Sequence, residues 1–80
     1  MITETKMNLF DALKNRQYKI KNINAKGKVF LKLLDMGFVN GVTTEVIRKA
    51  PLNDPIELKI HNYLITLRSS EARLIEVEEV

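Results

Sequence analysis

The sequence predicts a mainly β fold: a small, partly open barrel of five short strands, one α-helix between the first and second strands, and short helical turns elsewhere. Three observations lead there. Apolar and polar residues alternate in four separate runs, which is the period of a half-buried strand. Only one segment, residues 25–36, repeats its apolar positions at i, i+3 and i+4. The 80 residues, 45% apolar and without cysteine, suffice for one core that must hold without disulfides or a thiolate metal cluster.

Residues 1–7 (MITETKM) carry no pattern and read as a loose tail ahead of a single domain over 8–80. Asn8 can cap a short helical turn contributing Leu9, Phe10 and Leu13. From Gln17 to Ile23, Tyr18 and Ile20 alternate with Lys19 and Lys21, and Ile23 breaks the parity, marking a bulge or the end of the strand. In the helix expected over Ala25–Met36, with Asn24 as N-cap, Phe30, Leu33 and Leu34 form one face, extended by Val29. Lys28, Lys32 and Asp35 form the other. Gly37 fits the C′ position, which needs a positive φ, and Phe38 can close a Schellman motif onto Leu33.

After an Asn40-Gly41 turn, Val42–Lys49 (VTTEVIRK) is rich in β-branched residues. Ala50–Pro55 (APLNDP) is a loop, because its prolines cannot donate ladder hydrogen bonds. Ile56, Leu58 and Ile60 then alternate with Glu57, Lys59 and His61. Asn62-Tyr63 turns the chain back, and Tyr63, Ile65 and Leu67 alternate with Leu64, Thr66 and Arg68. Ser69 and Ser70 are candidates to cap one helical turn through Glu71 and Ala72, before a last strand with Ile75 and Val77 inward and Glu76 and Glu78 outward. A flat sheet of this size would leave one apolar face bare. Curling it into an SH3-like barrel, with the helix over one end, buries that face.

Such a barrel carries little chemistry of its own. One histidine and no cysteine cannot build a transition-metal cage, and His61 lies on the outward phase of its strand. Ser69 and Ser70 have no adjacent base, and Asp54 and Glu57 flank a turn rather than a cleft. The three glycines, spaced G-x9-G-x3-G, match neither dinucleotide nor P-loop spacing. No enzyme activity, cofactor or metal site is expected. No apolar stretch approaches the ~20 residues of a membrane span and none resembles a signal segment, so a cytoplasmic location is expected without membrane insertion.

The formal net charge is +3. Lys14, Arg16, Lys19, Lys21, Lys26, Lys28 and Lys32 load the first half, while Glu76, Glu78 and Glu79 close the chain. Single-strand binders interleave cations with exposed rings; here the aromatics other than Phe38 fall on inward phases, so nucleic acid is not an expected partner. What remains is docking. Phe38-Val39 reads as an exposed apolar pair past the helix, and Leu52 as the tip of a proline-bounded loop. Lys28, Lys32, Arg48 and Lys49 would rim them, the composition of a protein-binding patch. The alternative is that Phe38 and Leu52 fold back as plugs of the barrel.

Three runs in order make the assignment more specific. Leu33-Leu34-Asp35-Met36-Gly37-Phe38-Val39-Asn40-Gly41 resembles the LLDLGLVPG pattern of FeoA proteins. Ala50-Pro51-Leu52-Asn53-Asp54-Pro55-Ile56-Glu57 resembles their APLGDPIE, and Asn62-Tyr63-Leu64-Ile65-Thr66-Leu67-Arg68 their GYxLxLR. Asparagine stands where the family has proline (Asn40) or glycine (Asn53, Asn62), and of the non-glycine residues it best tolerates a left-handed backbone. Leu13-Lys14-Asn15-Arg16-Gln17 replaces both the proline and the glycine of the family's LKPGQ.

The resemblance implies an SH3-like barrel acting in bacterial ferrous iron uptake through contact with the cytosolic part of the GTP-dependent transporter FeoB, recruited to the inner face of the membrane. Weak self-association is compatible with it. A role as GTPase activator would want a protruding arginine, and Arg16, Arg48, Arg68 and Arg73 lie in strands or at their ends. The alternative is a repressor-type module, since the C-terminal domain of iron-dependent repressors shares the barrel. Eighty residues without a helix-turn-helix favour the transporter companion.

Overall fold

Strand alternation and two bulges shape the sheet. The computed structural model describes residues 7–80. Of the tail expected over 1–7, residues 1–6 lie outside the described residues, and Met7 belongs to a strand. The strands are β1 (Met7–Asn8), β2 (Gln17–Ile23), β3 (Thr43–Lys49), β4 (Ile56–Ile60), β5 (Tyr63–Leu67) and β6 (Ile75–Glu79), all antiparallel in the order β1-β6-β2-β3-β4-β5. Among the described residues the sheet thus has six strands rather than five, the added one covering Met7–Asn8 and paired to β6 (Met7 opposite Val77).

In β2, Tyr18 and Ile20 are buried as their spacing predicts. Ile20 pairs with Val77 and Asn22 with Glu76, so Lys21 is the extra residue of a bulge; the one-residue slip returns Ile23 to the inside. A second bulge at Ile47 sets Arg48 opposite Glu57 on β4. Thr44, buried among aliphatics, satisfies its hydroxyl by donating to the Lys59 carbonyl at 2.9 Å. The core gathers Tyr18, Ile20, Val46, Ile56, Leu58, Ile60, Leu67, Ile75 and Val77 from the curled sheet and Leu9 from the helical turn after β1, with Leu33 and Phe38 covering one end.

The helix between β2 and β3, α1, is shorter than expected: Gly27–Asp35 rather than Ala25–Met36. Gly27 has φ +63 and Lys26 stands at the N-cap without a side-chain bond. Asn24 is not the cap, because its amide instead donates to Glu76 at 3.4 Å across the sheet. The C-terminus closes as expected. Phe38 N donates to Leu33 O at 3.1 Å and Gly37 N to Leu34 O at 2.9 Å, the two bonds of a Schellman motif. That motif swings Phe38 under the helix to 0% exposure, so the expected exposed Phe38-Val39 pair is split and only Val39 faces solvent.

The β4–β5 hairpin also differs in detail. Its two-residue loop is His61-Asn62, with φ +51 and +71, and not Asn62-Tyr63. Two positive φ values make the primed turn that matches the twist of paired strands. Tyr63 is half in solvent despite its inward phase, because its hydroxyl reaches out to donate to Met36 O at 2.7 Å. After β5, α2 (Ser69–Ala72) starts at Arg68, which is therefore not in a strand. Ser69 and Ser70 lie inside the turn, and Glu71 caps it by accepting from Arg68 N at 3.1 Å.

Gly37 is where α1 meets the hairpin. Its φ is +102, and a Cβ there would come within 2.9 Å of both His61 Cδ2 and Tyr63 Oη. Gly41, at φ +93, has open space around it. Gly41→Ala is expected to cost about 1 kcal/mol from backbone conformation alone. Gly37→Ala should cost about 1 kcal/mol more, because Tyr63 must surrender its bond to the helix end. Denaturant unfolding of both variants measures the difference; equal costs would mean that the close approach carries no energy.

Candidate functional site

The Ala50–Pro55 loop is short of regular structure yet internally bonded. Ala50 N donates to Pro55 O at 3.0 Å and Asn53 N to Ala50 O at 2.8 Å, and Asp54 Oδ1 accepts from Ser69 N at 2.9 Å. Asp54 thereby fastens the loop to α2, while Glu57 faces Arg48 at 3.6 Å, so the two carboxylates do not converge on a cleft. Inside the loop, Leu52 and Asn53 adopt left-handed φ of +64 and +59. Asparagine tolerates this; a leucine there is costly, and its side chain is 96% exposed. A strained, solvent-facing leucine at the tip of a fastened loop contributes nothing to the core and is the strongest local indication of a binding role.

Val39, just past α1, is also an exposed apolar group, with Leu31 and Val29 exposed on the helix itself. The sequence-derived candidates do not form one patch. Lys28, Lys32 and Val39 lie with α1, whereas Arg48 and Leu52 lie at the opposite end of β3, whose seven residues span ~20 Å. Phe38 is withdrawn from the set by its burial. Leu64, on β5, is exposed as its outward phase predicts.

The cations differ in their freedom. Lys32 Nζ meets Glu71 Oε2 at 2.6 Å and ties α1 to α2. Arg16 pairs with Glu79 at 2.8 Å and Lys21 with Glu78 at 3.5 Å, so two carboxylates of the C-terminal strand are answered by β2 and the residue just before it. Arg73 lies over the Phe10 ring at 4.1 Å, and Lys49 donates to Phe10 O at 3.1 Å. Lys28 has no ion-pair partner among the described residues. His61 stacks beside Tyr63 at 6.2 Å and borders an open groove of about 680 Å³ lined also by Thr43, Glu45 and Lys59. Among the described residues, no three histidine, aspartate or glutamate side chains gather as a metal site would need. No described helix is long and apolar enough to cross a membrane.

Of the titratable groups, Glu71 stands out. The Lys32 ammonium bonded to its carboxylate holds its pKa below the usual value against the opposing effect of burial, helped by the Arg68 N–H. A depressed folded-state pKa stabilises the fold above the ordinary carboxylate value, and that stabilisation is lost as pH falls through the lower, folded value. Glu71→Gln is therefore expected to lower stability at neutral pH and to match the parent once pH drops below both values. Unfolding free energies along an acid titration test this; a difference that persists unchanged at the acid end would refute it.

Comparison with known proteins adds the following. The family model described as the FeoA domain matches residues 7–79. The Fe(2+) transport protein A/Fe(2+) transporter FeoB fusion protein of Porphyromonas gingivalis is 40% identical over 62 residues, covering 78% of this chain and 7% of that protein. The solution structure of iron(II) transport protein A from Clostridium thermocellum superposes with a TM-score of 0.89 at 46% identity, covering 92% of this chain and 46% of that one. The FeoA protein of Stenotrophomonas maltophilia, described as a procaryotic SH3 domain protein and solved with zinc, shares the fold at 22% identity and TM-score 0.79, covering 90% of this chain and 89% of that one. The chain spans less than half the length of the first two.

Proposed function

The chain belongs to the FeoA family, and from that premise we propose that it is a non-enzymatic accessory protein of ferrous iron uptake, acting by direct contact with the cytosolic part of a FeoB-type transporter. The observation that supports this most is the fused relative, in which an iron transport protein A segment and a FeoB transporter share one polypeptide. Fusion converts encounter into an intramolecular event and is useful where two modules work in contact. The contact needs apolar surface that folding leaves uncovered, and Leu52 and Val39 provide it as two separate points, with Arg48 on the Leu52 side and the cations of α1 on the Val39 side.

The contribution is mechanical or allosteric rather than chemical. Arg16 and Arg48 make surface ion pairs, Arg73 lies on an aromatic ring and Arg68 opens α2, an arrangement that offers no arginine on a long free loop of the kind a finger uses. The location that goes with this reading is the cytoplasm, at the inner face of the membrane.

The test is the double variant Val39→Asp/Leu52→Asp. Both side chains are exposed, so the fold is kept, unlike a substitution at the buried Phe38. Association with the transporter is expected to weaken at least ~10-fold, about 1.4 kcal/mol. Radiolabelled ferrous uptake should fall in cells that carry the variant in place of the parent. Unchanged uptake and unchanged co-purification with the transporter, in a folded variant, would overturn the reading. Salt-dependent binding to duplex oligonucleotides would favour a repressor-type module instead.

A further inference from the structure

Among the described residues, the free edge of β5 is the one place where the sheet is left open over a full strand. β1, at the other end of the sheet, is two residues long among the described residues, a short edge. Among the described residues, β5 has β4 as its single ladder neighbour. In a hairpin with a two-residue loop the flanking residues, Ile60 and Tyr63, form a hydrogen-bonded pair, so the next pairs alternate. The N–H and C=O of Leu64 and Thr66 therefore point away from β4, and neither residue has another backbone partner among the described residues. Both side chains are exposed, Leu64 at 59%.

Edge strands of soluble proteins are ordinarily protected by a charge, a proline or a bulge. β5 has none of these. Its sequence, Tyr63-Leu64-Ile65-Thr66-Leu67, is uncharged and in regular register with β4, whereas β2, β3, β4 and β6 all carry charged residues. We propose that the β5 edge is a homotypic docking surface, pairing antiparallel with β5 of a second copy of this chain about a two-fold axis at Ile65.

The strand is complementary to itself in that register. Leu64 of each copy exchanges N–H and C=O with Thr66 of the other, which uses the outward-pointing groups on both sides. Ile65 then faces its own copy, and Tyr63 faces Leu67, aromatic against aliphatic. Arg68 falls opposite the neutral Asn62, so no like charges are opposed across the axis. The half-buried Ile65, which packs against the core on one side, gains cover on the other. The proposal is independent of the transporter reading.

Sedimentation equilibrium of the full chain from ~10 μM to ~1 mM should show the average mass rising from one chain toward two. Over the same range, amide hydrogen exchange is expected to slow at Leu64 and Thr66. Thr66→Pro removes an N–H that faces solvent in the single chain, a position where an edge strand accepts proline, and should weaken association at least ~10-fold. Leu64→Lys sets two cations diagonally across the axis and should do the same without touching the backbone. Either variant associating like the parent, protection at amides elsewhere, or a single-chain mass throughout would overturn the proposal. Protection of Leu64 and Thr66 in a single chain only after the transporter's cytosolic domain is added would likewise overturn it, assigning the edge to a foreign strand.

Discussion

The missing side chain at Gly37 determines how the helical and sheet parts of the molecule meet. Its left-handed backbone ends α1 and reverses the chain, so that Phe38 passes beneath the helix into the core. Its bare Cα leaves the room that His61 and Tyr63 occupy, and Tyr63 Oη takes up the Met36 carbonyl that the helix end would otherwise leave unpaired. One residue thus positions the end of α1, the β4–β5 hairpin and the exposed Val39 together. A β-carbon there would act on all three.

Much of this was legible in the sequence because period-2 alternation and glycine placement are local rules. The alternation of β2, β4 and β6, the helix at 25–36 to within two residues, and the Schellman closure are all read from nearest neighbours along the chain. The misreadings share a cause. Phe38 looks exposed when judged by its place after a helix, and its burial depends on a core assembled from distant strands. Tyr63 fits an inward phase, yet its hydroxyl is drawn out by a helix end remote in sequence. Ser69 and Ser70 look like caps, but Arg68 is already outside the strand and Glu71 takes the capping role. The two-residue β1 carries no pattern that a strand rule could find.

The candidate surface was legible in kind and not in extent. Leu52 stands where its loop signals put it, but the left-handed backbone beneath it comes from the loop's own bonds to Pro55 and Ser69. The basic residues gather along the early sequence and then disperse in space, two of them, Arg16 and Lys21, paired with the acidic last strand that lies beside β2. A run of like charges in a sequence is therefore a poor guide to a patch when the antiparallel neighbour carries the opposite sign.

The fastening of the Leu52 loop has a consequence for the kinetics of recognition. If the proposed contact uses this loop, a tip held in one shape beforehand loses little conformational entropy on docking, and a partner need not wait for it to reorganise. Encounter would then be limited by orientation and not by induced fit. Loosening the Asp54 anchor to Ser69 would slow capture and weaken it even with Leu52 itself intact.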